Sequence, residues 1–279
     1  MEIGIKVAPH HVDWKTFLQV AELADAATIF SQFWNFDHFY PIKGDTDGPC
    51  LEAWVSLTGI AQATNRIRIG SMVNGVHYRH PAVLANMASA LDIVSEGRFE
   101  LGLGAGWNEL ESGAYGIDLG TLTERFDRFD EALMVVTSLL SQERTSFSGN
   151  YFTLQDARNE PKGPQQPLPI CIGGTGEKRT LRSVARHASH WNLPMFEEQI
   201  FKQKYDVLKE HCEQVGTNIE DIKVSTHVFV EEETEASSVI SEVHHQNQLG
   251  IDQSILYFQP PIGMKQVESL TEALVVEFG

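Results

Sequence analysis

Residues 67–111 read IRIGSMVNGVHYRHPAVLANMASALDIVSEGRFELGLGAGWNELE and contain two consecutive strand–loop–helix steps. The apolar run IRIGSM ends at Val73, and Pro81 then opens a helix, where its missing N–H leaves no hydrogen bond unmade. The run RFELGLG ends in the same way before Gly106 and Trp107. Both loops therefore follow the carboxyl ends of strands, which is the face where parallel α/β proteins bind their ligands.

The same alternation of short apolar runs and amphipathic segments continues along the whole chain. The predicted strands are Ile3–Ala8, Thr28–Asn35, Ile67–Met72, Phe99–Gly104, Pro169–Gly173, Ser189–Leu193, Lys223–Val230 and Ser254–Gln259. The predicted helices are Asp13–Ala27, Leu51–Thr64, Ala82–Ser95, Leu122–Ser141, Lys178–His187, Glu197–Val215, Thr234–Leu249 and Met264–Phe278. An open doubly wound sheet also alternates in this way, but eight units in 279 residues favour an α/β fold of the (β/α)₈ TIM-barrel type. We expect one domain, residues 1–279.

One stretch, RTSFSGNYFTLQDARNEPKGPQQPL at residues 144–168, interrupts this alternation. Its glycines, asparagines and prolines predict an extended or hairpin insertion between the fourth helix and the fifth strand. Long loops in compact domains are usually functional, so we expect the insertion to lie over the barrel mouth.

Composition excludes several classes of protein. A net charge of −17 would repel nucleic acids and anionic membranes, so we expect neither as a partner. The three cysteines, Cys50, Cys171 and Cys212, form no CxxC pair, which fits a reducing compartment. No apolar stretch approaches the length of a membrane span, and the N-terminus enters a strand at once. We therefore expect a cytoplasmic protein whose partner is a small-molecule substrate.

Two loops carry the residue types that a site needs. The segment WNFDHFYP places Asp37 and His38 at the end of the second strand, where an imidazole can hydrogen-bond or protonate a ligand. A structural hydrogen bond is the alternative role of His38. The segment GGTGEK, which begins at Gly173, forms a turn before a helix, whose N–H groups can bind a phosphate. Tight-turn geometry alone would also explain its glycines.

Other motifs are weaker. His77 and His80 have the spacing of a metal pair but no carboxylate nearby in the sequence, so we expect no metal site. The GLGAG of residues 102–106 lacks the spacing of a Rossmann dinucleotide site.

The combined motifs resemble the luciferase-like monooxygenase superfamily, particularly its branch that uses the deazaflavin coenzyme F-420. The segments that carry the resemblance are WNFDHFYP, NRIRIGSMV, YRHPAVLANMASALDIVSEGRFELGLGAGWNELESGAYGI, ERFDRFDEAL and PICIGGTGEKRTLRSVARHASHWN. They span most of the chain. Relatives that oxidise sugar phosphates place Glu directly after the GxG of the fourth strand, whereas Trp107 stands here and Glu109 follows. This departure argues against sugar-phosphate chemistry.

The resemblance implies a set of site residues. The ring would lie at the barrel mouth, and its phosphate-bearing tail would meet Gly173, Gly174 and Thr175. Met72 and Val73 match a bulge that commonly contains a non-proline cis peptide and supports the ring. The expected cofactor-binding residues are Asp37, His38, Met72, Val73, Asn74, Gly106, Gly173, Gly174 and Thr175.

We therefore expect an oxidoreductase that transfers hydride between coenzyme F-420 and a small organic substrate. His38 and Glu109 are the expected catalytic residues, and His10, Trp34, Tyr78 and Trp107 the expected substrate-binding residues. An FMN-dependent luciferase-like monooxygenase that uses O₂ is one alternative, and a flavin-binding protein without catalysis is another. The helix Ala82–Ser95 carries small apolar residues that allow another helix to pack closely. Because members of the resembled family commonly dimerise, we expect a homodimer.

Overall fold

Eight parallel strands close into a barrel in the computed structural model, which describes residues 1–279. The chain first forms β1 (Glu2–Val7), β2 (Phe30–Asn35), β3 (Arg68–Gly75) and β4 (Phe99–Gly104); a hairpin of β5 (Thr145–Ser148) and β6 (Thr153–Ala157) follows; and β7 (Ile170–Gly173), β8 (His190–Leu193), β9 (Lys223–Val230) and β10 (Gln253–Phe258) complete the barrel. The barrel strands pair in chain order, with β4 paired to β7 across the hairpin, and β1 closes the ring against β10. The predicted (β/α)₈ barrel is confirmed.

Nine helices accompany the strands. They are α1 (Trp14–Ala26), α2 (Ala53–Ala63), α3 (Pro81–Val94), α4 (Glu109–Ala114), α5 (Leu122–Ser141), α6 (Thr180–His187), α7 (Glu198–Val215), α8 (Ala236–Gln248) and α9 (Met264–Phe278). Local sequence explains several of their ends. Pro81 begins α3, a capping box of Thr121 and Glu124 begins α5, and Gly216 ends α7 in the left-handed conformation at φ +78°. None of the nine combines the length and apolar character that a membrane crossing requires.

The insertion lies on the outer wall of the barrel rather than over its mouth. Glu131 of α5 accepts hydrogen bonds from the N–H groups of Asn150, Tyr151 and Phe152 at 2.7, 2.9 and 3.1 Å, which fixes the hairpin tip against that helix. Further along, Gln165 donates to the carbonyl of Phe99 at the amino end of β4. No residue of 144–168 lines the cavity at the mouth. The expected position over the mouth was wrong, because the buried Glu131 carboxylate on α5 binds the tip of the hairpin.

The core has two parts. An apolar cluster of 56 buried residues fills the space between the barrel and its helices. Inside the barrel, the lower layer is polar: His190 lies 2.5 Å from Glu100 and 2.6 Å from the Ser225 hydroxyl, and Gln32 donates to the same carboxylate. Trp34 packs above this layer with Met72, Cys171 and Ile255. These side chains close the barrel below and leave an opening only at the carboxyl ends.

Candidate active site

The carboxyl ends of the barrel strands surround a cavity of about 430 Å³, within the size range of small-molecule sites. Its floor is formed by Lys6, Met72, His227 and Tyr257. Its walls and rim include Asp37, His38, Val73, Gly75, Tyr78, Gly104, Gly106, Trp107, Phe126, Gly173, Gly174, Met195 and Phe229. Loops after five different strands thus contribute to one cavity.

A bulge in β3 projects into this cavity. The peptide bond between Met72 and Val73 is cis, as the resemblance implied, and the pairing of β3 with β4 shifts register between Ser71 and Asn74. The bulge fits because β4 carries glycine. A Cβ atom on Gly102 would lie 2.0 Å from the Ser71 carbonyl oxygen, and one on Gly104 would lie 2.7 Å from a methyl of Val73. The GLGAG motif is therefore the surface against which the bulge packs.

His38 and Glu111 form the central pair of the site. Nδ1 of His38 is hydrogen-bonded to Oε1 of Glu111, and Tyr78 donates its hydroxyl to the same oxygen. The other carboxylate oxygen accepts the N–H groups of Phe39 at 2.7 Å and Tyr40 at 3.2 Å. A carboxylate can only accept, so Nδ1 of His38 donates and Nε2 has no partner within the protein. His38 lines the cavity, where Nε2 can exchange a proton with a ligand.

The acid of this pair is Glu111 and not the expected Glu109. Asn108 caps α4 by accepting the N–H of Leu110, which sets the phase of the helix. Glu111 is thereby buried against His38, whereas Glu109 is exposed and does not line the cavity. Burial alone would raise the pKa of Glu111, but the hydrogen bonds from His38, Tyr78 and Phe39 outweigh it and lower that pKa.

Asp37 is held by an ion pair. Arg79 binds both of its carboxylate oxygens, at 2.5 and 3.1 Å, and also reaches Glu52 at 2.8 Å. Asp37 is 1% exposed, and burial raises its pKa while the charge of Arg79 opposes that rise. The arrangement holds the loop that carries His38 in place.

Lys6 is a charged residue on the floor. Its Nζ donates to the carbonyl of Met72 at 3.0 Å and lies 3.5 Å from Nε2 of His227. It also lies 4.4 Å from the centre of the Tyr257 ring. Burial lowers the pKa of Lys6 from 10.5 to about 7, since no carboxylate is near enough to compensate for its lost hydration.

The glycine turn after β7 opens into a second groove. Gly173 and Gly174 line the cavity, and Thr175 lies beyond them in an adjoining groove with Lys178 and Lys204. Arg179, in contrast, is paired with Asp127 at 2.8 Å and with Asp130 at 2.6 Å. Of the basic residues in this turn, Lys178 is the one without an ion pair, and it is exposed.

Several expected site residues lie elsewhere. Trp34 is fully buried in the barrel interior, below the cavity. The ring of His10 packs 5.5 Å from that of Phe36 and does not line the cavity. Asn74 donates its amide to the carbonyl of Gly102 at 2.7 Å and thereby fastens the bulge to β4. These three residues were expected to contact ligands, but each directs its side chain into the protein: Trp34 and Asn74 lie within β2 and β3, and only His10 follows a strand.

Four functional candidates were missed: Lys6, Arg79, Glu111 and His227. Glu111 had a sequence signal, because Asn108 is a typical helix cap. It makes Glu111 the third residue of the helix, and this residue is buried. Lys6 also had one, because a lysine within the apolar strand EIGIKV is unusual.

Comparisons with known proteins show the family to which the chain belongs. The family model of the luciferase-like monooxygenases matches residues 1–257. The chain belongs to that family. It is 32% identical over 191 residues to the F-420-dependent hydroxymycolic acid dehydrogenase of Mycobacterium tuberculosis, covering 67% of this chain and 52% of that protein. It is 36% identical over 144 residues to the F-420-dependent glucose-6-phosphate dehydrogenase of Kineococcus radiotolerans, covering 51% of this chain and 42% of that protein.

The chain spans about half the length of the curated relatives it matches. Among solved structures, an F-420-dependent secondary alcohol dehydrogenase in complex with an F-420–acetone adduct superimposes with a TM-score of 0.87 at 18% identity. That alignment covers 98% of each chain and shows a shared fold.

Proposed function

We propose that this protein is an oxidoreductase that uses coenzyme F-420 and exchanges hydride with a small organic substrate. The observation that carries the proposal is the His38–Glu111 pair, which presents a free Nε2 to a cavity floored by the Met72–Val73 bulge. When bound, F-420 supplies a ring carbon that accepts or gives hydride without reacting readily with oxygen. The F-420 dependence of the two relatives, the hydroxymycolic acid and glucose-6-phosphate dehydrogenases, supports this choice of cofactor.

The residues present fit such a cofactor. The bulge at Val73 and the glycines 104 and 106 offer a flat, apolar wall, and Gly173 and Gly174 lead from the cavity to the groove of Thr175 and Lys178. We propose that the ring lies on the bulge and that the phosphate tail lies along that groove, where N–H groups and Lys178 balance its charge. Asp37, with Arg79, would hold the loop of His38 beside the ring.

His38 is proposed to carry the proton of the reaction. A hydride leaving an alcohol carbon must be matched by loss of the hydroxyl proton, and Nε2 of His38 can accept it while Glu111 holds the opposite nitrogen. Charge that develops on the imidazole is then balanced by the Glu111 carboxylate. The reverse reaction uses the same atoms, with His38 as the proton donor.

The rim suggests an apolar substrate. Ile42, Trp107, Met195 and Phe229 line the outer part of the cavity and are 37–67% exposed. Exposed apolar side chains gathered at a cavity mouth mark a surface that binds apolar groups. We propose a substrate with an apolar body and a hydroxyl or carbonyl group that reaches His38.

The deciding experiment is a parallel titration of the purified protein with F-420 and with FMN, followed by reaction of the loaded protein with apolar secondary alcohols. We expect F-420 to bind at least roughly tenfold more tightly and its visible absorbance to fall when a substrate alcohol is added. Tighter binding of FMN together with oxygen consumption would favour the monooxygenase alternative, which the family description suggests. Binding with no turnover of any alcohol or carbonyl compound would favour a non-catalytic flavin-binding protein.

We also propose a homodimer in the cytoplasm. Val83 of α3 is 53% exposed beside small residues that allow another helix to approach closely, and all three cysteines are unpaired thiols. Light scattering tests the assembly, with an expected mass of about twice the 31.2 kDa of one chain. A mass near 31.2 kDa would reject the dimer.

A further inference from the structure

Lys6 has a hydrogen-bonding capacity that the protein does not use. An ammonium group offers three N–H donors. One is given to the Met72 carbonyl, and a second can meet Nε2 of His227. The Nδ1 of His227 donates to the Pro194 carbonyl at 2.8 Å, so its Nε2 is the acceptor of a neutral ring. The third donor has no partner, and the residue lines the cavity.

The surroundings of Lys6 contain no negative charge. It faces His227 on β9, Tyr257 on β10, Phe36 just after β2 and the buried Cys171 on β7. Burial raises the pKa of the Cys171 thiol far above neutrality and that of the Tyr257 hydroxyl to about 12, so both are neutral. The two carboxylates nearest the cavity are already engaged, Asp37 by Arg79 and Glu111 by His38. The positive charge of the Lys6 ammonium group is therefore not balanced by any group of the protein, and an anionic ligand would balance it.

A ring that rests on the bulge lies next to this cation. Lys6 touches the carbonyl of Met72, which is the first residue of the cis peptide. Transfer of hydride breaks a C–H bond of the substrate and forms one at the ring carbon, and the electron pair that moves leaves the ring with one additional negative charge. In a deazaflavin, resonance places this charge on the N1–C2 carbonyl edge. This additional charge is present only in the reduced state.

We infer that Lys6 is the counter-ion of the reduced cofactor: its ammonium group binds the anionic N1–C2 carbonyl edge and makes the site favour the reduced over the oxidised form. This inference rests on the proposed function. It assigns a cofactor-contacting role to a residue outside the His38–Glu111 pair. In the empty cavity Lys6 gives up its proton readily, because burial lowers its pKa to about 7. The ligand's negative charge reverses that effect, so binding of the reduced cofactor above neutral pH takes up a proton.

The test compares the wild-type protein with Lys6→Met, which keeps the length of the side chain, and with Lys6→Arg, which keeps the charge. Dissociation constants for oxidised and chemically reduced F-420 are measured anaerobically by fluorescence titration. We expect Lys6→Met to bind the reduced form roughly 10- to 100-fold more weakly, as loss of one charge-assisted hydrogen bond predicts, and the oxidised form less than about threefold more weakly. Lys6→Arg should retain most of the preference.

A matched control is Lys43→Met. Lys43 lies beside the mouth in an exposed pair with Glu231, so its loss changes the net charge by the same amount without reaching the floor. We expect unchanged binding of both forms. Proton uptake by the wild-type protein is measured independently, by calorimetry at pH 8 in buffers of different ionisation enthalpy, so that the inference does not depend on how Lys6→Met folds.

The outcomes separate the two proposals. Failure of the wild-type protein to bind either form of F-420 would overturn the proposed function and this inference with it. Normal binding by the wild type, with an unchanged ratio of the two affinities in Lys6→Met and no proton uptake, would overturn the role of Lys6 alone. Equal weakening of both forms would also overturn it, because it would show that Lys6 supports the cavity and does not respond to the ring's charge.

Discussion

His38 and Glu111 are 73 positions apart in the chain and share a hydrogen bond between Nδ1 and Oε1. The bond joins the loop after β2 to the short helix α4 after β4, across the loop that follows β3. Because Glu111 also holds the N–H groups of Phe39 and Tyr40, the same carboxylate fixes both the backbone and the imidazole of the His38 loop. Under the proposed function, the pair therefore couples the shape of the site to its proton chemistry.

Replacement of His38 by alanine tests the chemical half of that coupling. If Nε2 carries the proton of the reaction, His38→Ala should lower turnover by roughly 10²- to 10⁴-fold. The fold should be little affected, because the backbone hydrogen bonds from Phe39 and Tyr40 to Glu111 remain. Turnover and melting temperature are measured on the same preparation. A marked loss of stability with normal turnover per folded molecule would remove His38 from the mechanism.

Replacement of Glu111 by glutamine tests the structural half. An amide can accept from some of the four donors around Glu111, but its NH₂ group faces at least one of them. We expect the free energy of unfolding to fall by about 1–3 kcal/mol, the usual cost of unsatisfied buried polar groups. Glu109→Gln on the exposed side of the same helix is the matched control and should change stability by less than about 0.5 kcal/mol. Urea unfolding curves give both values.

The effect of Glu111 also depends on pH. Its pKa in the folded protein lies below the ordinary 4.5, so its contribution to stability is complete above pH 4.5 and is lost as pH falls through the folded value. The difference in stability between the wild type and Glu111→Gln should therefore shrink below pH 4.5. A constant difference from pH 7 down to the acid limit of the fold would show that the carboxylate is not ionised in the folded protein.

Loss of Arg79 should lower the free energy of unfolding more than loss of an exposed arginine does. Removing it in Arg79→Met leaves Asp37 buried without its partner, and breaking a buried pair costs about 3–5 kcal/mol. Arg144→Met, which breaks an exposed pair with Asp156, should cost at most about 1 kcal/mol.

Acid should partly rescue the Arg79 variant. Burial raises the pKa of Asp37, and loss of Arg79 removes the main group that opposes that rise, so protonation at low pH removes the unpaired charge. The deficit of Arg79→Met should be smaller at pH 5 than at pH 8. Equal costs for the two arginine variants would show that the Asp37–Arg79 pair is loosely held in solution.

The sequence was sufficient for the barrel because each strand and helix has a local signal. Alternating apolar runs define β1 to β4, and Pro81 and the Thr121–Glu124 capping box define where two helices begin. The short helix α4 was missed because six residues contain too few turns for a period. The hairpin was placed wrongly because its position depends on Glu131, a contact between residues about twenty positions apart that no local pattern records.

The site was only partly predictable for a related reason. Its loops follow strand ends, so Asp37, His38, Tyr78 and Trp107 could be identified as lining residues. Whether a side chain points into the cavity depends on bulges and helix phase. Those features separate Glu111 from Glu109, and they direct Trp34 and Asn74 into the protein. Lys6 could not be assigned, because its proposed role depends on the absence of a carboxylate around it, which only the assembled barrel displays.

The glycine turn after β7 provides the last prediction, which concerns the phosphate tail. A substitution at Gly174 is a poor test, since its φ of +125° strains any other residue. Thr175 is better placed, because it lies in the groove with Lys178 and its side chain forms no hydrogen bond within the protein. Thr175→Glu introduces a carboxylate where the tail is proposed to lie, and we expect F-420 to bind roughly 10- to 100-fold more weakly.

Ser238→Glu is the matched control for this variant. Ser238 is exposed on α8, so the substitution adds the same charge at a distance from the groove. It should leave binding unchanged. Because the repulsion in Thr175→Glu is electrostatic and partly exposed, it should weaken when the salt concentration rises toward 1 M, where charges are screened within about 3 Å. Fluorescence titration at low and high salt measures this, and full affinity in Thr175→Glu at low salt would show that the phosphate binds elsewhere on the barrel.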